Sequence, residues 1–400
     1  MTNTSQRLPC HLVRGGRVFS PEDRGQQDLL LIGGQIAAMA QHIEPSTVAA
    51  LEPVIIDAGG HWLVPGLVDS LAHITGGGGE DGYASRTPEL NISRAIEAGV
   101  TSMVGCLGTD ATTRSLGDLL AKARGLGEYG LSCWCHTGSY EVPVRTLTGS
   151  IQDDLILIDR FIGVGEIAIA DHRGAQPSVH ELARLASEAR RAGLLSGKAG
   201  IVSIHTGDGS DHFELINEVV SQTRIPRSQF YPTHVNRTEA VFQAGLDYAQ
   251  LGGLVDFTTS TTPALIEQGE VPAAQAVKRM LDEGIALEQI TLSSDAQASL
   301  PAFDADGLLT GLEMADMRSL WQSVREGISE QAIEPAKMLA TATLNPARIL
   351  GLHNKGRLAV GMDADLLLID PDNMAIDSVF GAGRLLMHKG ELKVRGRFEQ

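Results

Sequence analysis

The sequence predicts a (β/α)8 barrel that carries a small β-sandwich domain formed from both ends of the chain. Three observations predict this α/β fold class. Eight β-like runs alternate with helical patterns after residue 65, polar residues stand at the carboxyl ends of those runs, and both chain ends contain short alternating strands with glycine turns. Eight strand-then-helix units over about 230 residues are typical of such a barrel.

The eight β-like runs are short, mostly apolar and separated by helical patterns. They cover residues 67–73, 100–107, 131–140, 165–171, 201–205, 229–234, 254–260 and 290–295. Amphipathic stretches between them, which predict helices, include residues 89–98, 178–192, 238–251 and 272–283. A doubly wound sheet would also alternate strands and helices, but no glycine-rich dinucleotide loop follows the first run.

The two ends of the chain differ from the middle. Residues 11–64 alternate short strands with the glycine pairs at 15–16, 33–34 and 59–60, and the tail from residue 355 has the same character. We therefore predict that residues 1–65 and 355–400 pair into one small β-domain. The barrel is predicted to span residues 66–354.

Charge and composition exclude several classes of partner. The chain has 400 residues and a formal charge of −17, which argues against nucleic acid and against an anionic membrane surface. No signal-peptide core stands at the N-terminus, and no stretch reaches the roughly 20 apolar residues of a membrane helix. Four scattered cysteines do not make a disulfide framework. We therefore expect a cytoplasmic protein.

Polar side chains collect at the carboxyl ends of the predicted strands, where barrels of this kind carry their active sites. Their coincidence is stronger evidence than any one of them. They are His73, Tyr140, Asp171, Arg173, His205, His234 and Asp295.

The whole chain resembles the isoaspartyl (β-aspartyl) dipeptidase family of the amidohydrolase superfamily. The most specific segments are HITGGGGE at residues 73–80, DHR at 171–173, HTGD at 205–208 and PTHVNR at 232–237. Two positions depart from the pattern. Superfamily members usually read Asp-X-His-X-His at the first strand, and this chain has Leu71 where the first histidine would stand. The family's carboxylated lysine is replaced by Glu166.

The resemblance implies a metal centre. Family members bind two zinc ions, so His73 and Asp295 would serve one ion and His205 and His234 the other. Glu166 supplies carboxylate oxygens without a carbon dioxide adduct, although its shorter side chain would need some backbone adjustment to bridge two ions. Two histidines and a glutamate with an open position form a catalytic zinc arrangement. We therefore favour one Zn²⁺ ion over two, held by Glu166, His205 and His234.

The resemblance also implies a reaction and a substrate. Asp295 would exchange a proton with a metal-activated water and the leaving amine, and Tyr140 would stabilise the oxyanion. Isoaspartyl dipeptides, which carry an amine and carboxylates, would be recognised by residues that this chain keeps from the family's recognition set. These are Gly78, Glu80, Thr109, Arg173, Arg237 and Ser299.

Two alternatives stay open at this stage. The same scaffold could hydrolyse another amide-like substrate, such as an N-acyl amino acid, a cyclic imide or a lactam. Leu71 would also suit a non-catalytic binding protein that has lost its metal. By resemblance the chain forms a homo-oligomer of unspecified size.

Overall fold

The computed structural model describes residues 10–303 and 309–399 of the chain. In chain order its strands are β1 (Cys10–Phe19), β2 (Asp23–Ile32), β3 (Gln35–Ala40), β4 (Val54–Asp57), β5 (Trp62–Pro65), β6 (Leu67–Ala72), β7 (Val100–Gly105), β8 (Ser132–Thr137), β9 (Phe161–Ile169), β10 (Ile201–Thr206), β11 (Phe230–Thr233), β12 (Val255–Thr258), β13 (Ile290–Ser293), β14 (Ser299–Phe303), β15 (Leu309–Met314), β16 (Leu366–Ile369), β17 (Ile376–Gly381), β18 (Arg384–His388) and β19 (Glu391–Leu392).

The helices pack mainly outside the central strands. They are α1 (Ile92–Glu97), α2 (Leu116–Glu128), α3 (Ile151–Leu157), α4 (Val179–Ser196), α5 (Glu214–Gln222), α6 (Glu239–Gln250), α7 (Pro263–Glu267), α8 (Ala273–Asp282), α9 (Ser319–Ser329), α10 (Pro335–Thr341) and α11 (Leu344–Ile349). None of the helices in the described ranges is long and apolar enough to cross a membrane.

Strands β6 to β13 form the predicted barrel. Strands β6 to β11 make a parallel sheet in sequence order, and β12 pairs with β13. Backbone hydrogen bonds close the ring at both joins: Val235 N–H donates to Asp256 O (3.2 Å), and Asp295 N–H donates to Leu71 O (3.1 Å). Strands β6 and β9 are buried along their whole length, as expected when helices cover a parallel sheet. The predicted fold class is confirmed.

Two details of the barrel differ from the sequence-based prediction. Strand β9 begins at Phe161, whereas the predicted run began at residue 165, because Gly163 and Gly165 interrupt the apolar pattern. After β13 the chain also makes an antiparallel hairpin of β14 and β15, which sequence analysis did not predict. Its neighbours in sequence, residues 304–308, lie outside the described residues.

Both ends of the chain meet in one nine-stranded sheet. Its neighbouring strands follow the order β19, β18, β17, β16, β5, β1, β2 and β3, with β4 beside β1. Strand β5 pairs with β16, where Leu63 faces Leu368, so the N- and C-terminal strands share a continuous ladder and an apolar core. The domain boundaries between residues 65 and 66 and between residues 354 and 355 stay a prediction, and the pairing of β5 with β16 supports them. Residues 1–9 and 400 lie outside the described part.

A buried lysine joins the end sheet to the barrel. The Lys355 ammonium contacts Asp365, lies 2.8 Å from Asp363 and donates to Ser132 Oγ at 2.8 Å. Ser132 begins strand β8 of the barrel, and Asp365 directly precedes β16 of the end sheet. The side chains of Lys355 and Asp365 are only 5% and 6% exposed, so each needs the other's charge.

We expect Lys355→Met to destabilise the protein by about 3–5 kcal/mol, because it leaves a buried carboxylate without its cation. The midpoint of urea denaturation measures the effect. Lys337→Met is the control, since Lys337 forms an exposed pair with Glu334 at 3.9 Å and should change stability by less than about 1 kcal/mol. Equal midpoints for the two variants would contradict this role of Lys355.

Candidate metal centre and active site

A cleft of about 610 Å³ opens at the carboxyl ends of the barrel strands. This volume lies within the usual range for small-molecule sites. Glu166 lies buried at its floor, and every other site residue predicted from the sequence lines it. These lining residues are His73, Gly78, Glu80, Thr109, Tyr140, Arg173, His205, His234, Arg237, Asp295 and Ser299.

Glu166 is the centre of the buried floor. Its Oε1 lies 3.1 Å from His205 Nδ1 and 3.0 Å from His234 Nε2, and the side chain is completely buried. The pairing of β9 with β10 inserts one extra residue beside Glu166, since Val202 faces Val164 but Ile204 faces Ile167. Such an irregularity re-aims a side chain. Here the irregularity lies beside Glu166, whose Oε1 meets His205 and His234.

Gly165 makes this arrangement possible. Its φ is 149°, and a Cβ at this position would stand 2.7 Å from both the side chain and the carbonyl oxygen of Ser203. Only glycine fits so close to the neighbouring strand β10. Residue 165 must therefore be glycine, because the close packing of β9 against β10 that positions the Glu166 carboxylate leaves no room for a side chain there.

A second group of donors lies beside the first. His73 Nε2 is 3.2 Å from Asp295 Oδ1 and 3.8 Å from Glu166 Oε2. These two carboxylate oxygens are buried and have no hydrogen-bond partner among the described residues. Unsatisfied buried oxygens of this kind are costly unless a cation meets them.

The Glu166–His205–His234 group fits a divalent metal ion. These residues place one donor atom each within 4.8 Å of the others. Donors of one tetrahedral zinc ion lie about 3.3–3.6 Å apart when its bonds are about 2.0–2.2 Å. The separations of Glu166 Oε1 from His205 Nδ1 (3.1 Å) and His234 Nε2 (3.0 Å) are slightly shorter than this value. The donor set of imidazole nitrogens and carboxylate oxygens suits zinc and its neighbours in the first transition row.

Sequence analysis did not assign the partners that orient the two floor histidines. Asp171 Oδ2 lies 2.9 Å from His205 Nε2, and Thr258 Oγ1 lies 2.6 Å from His234 Nδ1. Partners on the far ring nitrogen fix the tautomer of a metal-binding histidine. Sequence analysis included Asp171 in the DHR segment but gave it no role. No motif in the sequence pointed to Thr258.

The floor combines buried carboxylates with histidines of both charge states. Despite complete burial, hydrogen bonds from His205 and His234 hold the pKa of Glu166 well below its ordinary value. Burial opposes ionisation of Asp295 too, but its neighbours His234 and His73 lower its pKa. Burial lowers the pKa of His234 and favours the neutral ring. Against the same effect of burial, Cys106 and Asp295 raise the pKa of His73, and Asp171 and Glu166 raise that of His205. Metals bind carboxylates and neutral imidazoles, so metal binding would displace protons from His73 and His205.

Four predicted recognition residues meet at the rim. Glu80 Oε1 accepts a hydrogen bond from Thr109 Oγ1 (2.9 Å), and Glu80 Oε2 accepts one from Ser299 Oγ (3.4 Å). Gly78 has a φ of 68°, and a Cβ there would stand 2.6 Å from the Ser85 carbonyl oxygen, so the loop requires glycine. The Glu80 side chain is 36% exposed and open to the cleft.

The two predicted arginines line the cleft and are already held by carboxylates. Arg173 binds Asp171 through Nε (3.0 Å) and Nη2 (2.7 Å), while its Nη1 lies 3.7 Å from Glu80 Oε1. Arg237 binds Glu270 at 3.1 Å and Asp295 at 3.3 Å. These pairs fix the positions of both guanidinium groups at the cleft.

Tyr140 and Leu71 complete the sequence-predicted set. The Tyr140 hydroxyl lies 2.6 Å from His205 Nδ1, and burial raises its pKa well above the ordinary value, so it stays a hydrogen-bond donor. Leu71 is 2% exposed and adds no donor atom. The structure thus places the protonated phenol beside the floor, with an apolar residue at the altered ligand position.

Arg114 was missed by sequence analysis although it supports the glycine-rich loop. This buried arginine donates to the carbonyl oxygens of Thr75, Gly77 (2.9 Å) and Thr87 (3.0 Å). Those carbonyls flank the segment that contains Gly78 and Glu80. Arginine's several donors in one plane allow a single side chain to hold three backbone groups.

Comparisons with known proteins agree with this geometry. The amidohydrolase family profile matches residues 62–386. The crystal structure of a β-aspartyl dipeptidase from Fervidobacterium islandicum AW-1, in complex with a β-Asp-Leu dipeptide, is 42% identical to this chain. It covers 98% of this chain and 100% of its own, with a TM-score of 0.89. The chain belongs to the β-aspartyl dipeptidase family of the amidohydrolases.

More distant amidohydrolases share the fold. A dihydroorotase from Pelotomaculum thermopropionicum is 25% identical over 90% of this chain and 89% of its own length. The dihydropyrimidinase structure from Brevibacillus agri is 16% identical and has a TM-score of 0.68, with 96% of both chains covered. The amidohydrolase family profile and the likeness to the β-aspartyl dipeptidase show that the chain is a hydrolytic enzyme of a metal-binding superfamily and imply small-molecule substrates.

We expect Arg114→Met to loosen the glycine-rich loop of the amidohydrolase without removing metal donors. Loss of charge-assisted hydrogen bonds worth about 1.5–3 kcal/mol should speed amide exchange in residues 75–87 about 10- to 100-fold. Hydrogen–deuterium exchange with mass spectrometry measures it. Arg384→Met removes a single exposed bond to the Glu128 carbonyl and is the control. If amide exchange is unchanged in both variants, Arg114 does not hold the glycine-rich loop in place.

A pH dependence follows from Asp69, which lies in the barrel beneath the cleft. Burial, with a contribution from Asp256, raises its pKa to about 7, although Ser294 donates to it. The folded state therefore holds the proton more tightly than the unfolded state. Its contribution to stability is complete below about pH 4 and is lost as the pH rises through about 7.

The free energy of unfolding of the wild type, relative to Asp69→Asn, should therefore fall by about 2–3 kcal/mol between pH 5 and pH 8. The asparagine variant carries no ionisable group at this position, so other titrations cancel in the difference. Urea denaturation of both proteins across that range measures it. Parallel stability curves would show that Asp69 does not titrate in this range.

Proposed function

We propose that the protein hydrolyses β-aspartyl dipeptides by metal-dependent attack of water on the β-amide. The observation that carries this proposal is one cleft in which a buried Glu166–His205–His234 cluster lies beneath a rim of opposite charges, Glu80 and Arg173. A β-aspartyl dipeptide presents one ammonium and two carboxylates around its scissile amide. The rim offers partners of both signs, and the floor offers the metal.

The metal we propose is Zn²⁺, with one ion favoured over two. Glu166, His205 and His234 would hold the tighter ion, because two histidines and one carboxylate leave an open position. A bound zinc ion would supply Lewis-acid activation of water and of the amide carbonyl. His73 and Asp295 make a weaker neighbouring site, since Leu71 contributes nothing there.

Asp295 is the proposed acid–base residue. It takes a proton from the attacking water and gives one to the leaving amine nitrogen. Its Oδ2 lies 3.3 Å from Arg237 Nη2, which holds the carboxylate in place, and its Oδ1 lies 3.2 Å from His73 Nε2. Tyr140 is the proposed donor to the carbonyl oxygen as negative charge develops on it.

The recognition residues divide the substrate's charges between them. Glu80 pairs with the α-ammonium, and Arg173 and Arg237 bind the carboxylates with their remaining donors. Thr109 and Ser299 contribute hydroxyl groups, and the backbone at Gly78 comes close to the ligand. A cytoplasmic location and a homo-oligomeric assembly complete the proposal, and the four cysteines, all free, support the former.

We expect β-Asp-Leu to be hydrolysed with kcat/KM at least about 100-fold above that for α-Asp-Leu, an N-acyl leucine or a cyclic imide. The α-dipeptide carries the same charges at different spacing, and missing charge-assisted contacts cost about 1.5–3 kcal/mol each. Release of leucine, followed by mass spectrometry, measures turnover. Preference for an N-acyl amino acid or cyclic imide would instead favour another amide-like substrate.

Two variants test whether this cleft performs the reaction. Asp295→Asn should lower kcat by about 10²- to 10⁴-fold. Asp316→Asn is the matched control, because Asp316 also pairs with an arginine, Arg318, but lies outside the cleft. Full turnover by the Asp295 variant would reject the mechanism. Absence of turnover and of bound metal in the reconstituted wild type would favour a binding protein.

A further inference from the structure

A cysteine lies beside His73, at the edge of the buried floor of the cleft. Cys106 follows strand β7, and its backbone N–H donates to the Ala72 carbonyl oxygen (3.1 Å) in the adjacent strand β6. Its side chain is completely buried. The Sγ atom lies 3.7 Å from His73 Nδ1. The thiol therefore borders the histidine whose usual motif partner is replaced by Leu71 in this chain.

A second, independent observation points to a cation at this place. Glu166 Oε2 and Asp295 Oδ1 are buried and lack hydrogen-bond partners among the described residues, and both lie near His73 Nε2. His73, Cys106 and Glu166 each offer a donor atom, and these atoms lie within 4.8 Å of one another. Tetrahedral zinc donors with bonds of about 2.0–2.3 Å lie about 3.3–3.7 Å apart, and His73 Nε2 and Glu166 Oε2 are 3.8 Å apart. The group is thus close to the spacing of a metal site.

We propose that Cys106 is a metal ligand, which takes the place of the missing histidine at the first metal position together with His73 and the free oxygen of Glu166, while Asp295 lies beside this group at 3.2 Å from His73 Nε2. This inference rests on the proposed metal-dependent function and deepens it. On binding, the thiol proton is released to solvent and a sulfur–metal bond forms. Cys106 comes from strand β7, next to β6, so a ligand lost from one strand is supplied by its neighbour.

The exchange of ligands has a chemical consequence. Thiolate is a softer donor than imidazole or carboxylate, so the first site should prefer zinc, cobalt or cadmium to manganese or magnesium. Glu166 then contributes one oxygen to each site, Oε1 beside His205 and His234 and Oε2 beside His73. The centre can hold a second ion although Leu71 donates nothing.

Cobalt reconstitution tests the proposal without relying on activity. The full-length protein is stripped of metal and loaded with Co²⁺. Its spectrum is then examined for a thiolate-to-cobalt charge-transfer band in the near ultraviolet, and the number of cobalt ions per chain is measured. In excess Co²⁺, which also fills the weaker first site, we expect the wild type to show the band and about two ions, and Cys106→Ala to lose the band and the second ion. Cys135→Ala is the matched control: Cys135 is equally buried, but its sulfur lies beside the Leu119 carbonyl oxygen.

The outcomes separate this inference from the proposed function. A wild type with one cobalt ion and no charge-transfer band would overturn the role of Cys106 but leave the Glu166–His205–His234 site intact. A wild type without cobalt would overturn both. In the Cys106→Ala background, Leu71→His should restore the second ion without the band. If Cys106→Ala keeps both the band and the second ion, the sulfur is not a ligand.

Discussion

The site depends on one buried carboxylate, which contacts a histidine from the end of each of two neighbouring strands. Glu166 is surrounded by protein, and only its contacts with His205 and His234 allow it to remain charged there. This constraint extends outward. Strand β9 needs an extra residue to aim the side chain, Gly165 must stay small against Ser203, and Asp171 and Thr258 must hold the rings. Substitution at any of these positions acts on the floor through Glu166.

The cleft combines two kinds of structure. Its floor consists of strand ends inside the barrel, where side chains are buried and fixed by several partners. Its rim is a glycine-rich loop whose position depends on Arg114, and Glu80 at that rim remains partly exposed. Rigid placement suits the reacting atoms, and an adjustable rim suits a ligand that must enter and leave.

Much of this could be predicted from the sequence. The eight barrel strands and the sheet built from both ends follow from apolar periodicity and glycine turns, and the cleft residues follow from polar side chains at strand ends. Thr258 and Arg114 could not be found, because their roles depend on distances between segments far apart in sequence. The β14–β15 hairpin was missed, and Gly163 and Gly165 concealed the start of β9. Cys106 lies in no recognisable motif, and its candidate role follows only from the short distance between its sulfur and His73 Nδ1 (3.7 Å).

The pairing of β5 with β16 has a consequence for how the chain matures. Leu63 and its partner Leu368 are roughly 300 residues apart, so at about 5–20 residues per second the ribosome needs about 15–60 s to supply the second after the first. During that interval the N-terminal strands have one edge without its native neighbour. The barrel can assemble before the end sheet is complete, and the exposed strand edge can pair with other nascent chains in the meantime. Yield in the cell would then depend on how quickly the last fifty residues emerge and close the ladder.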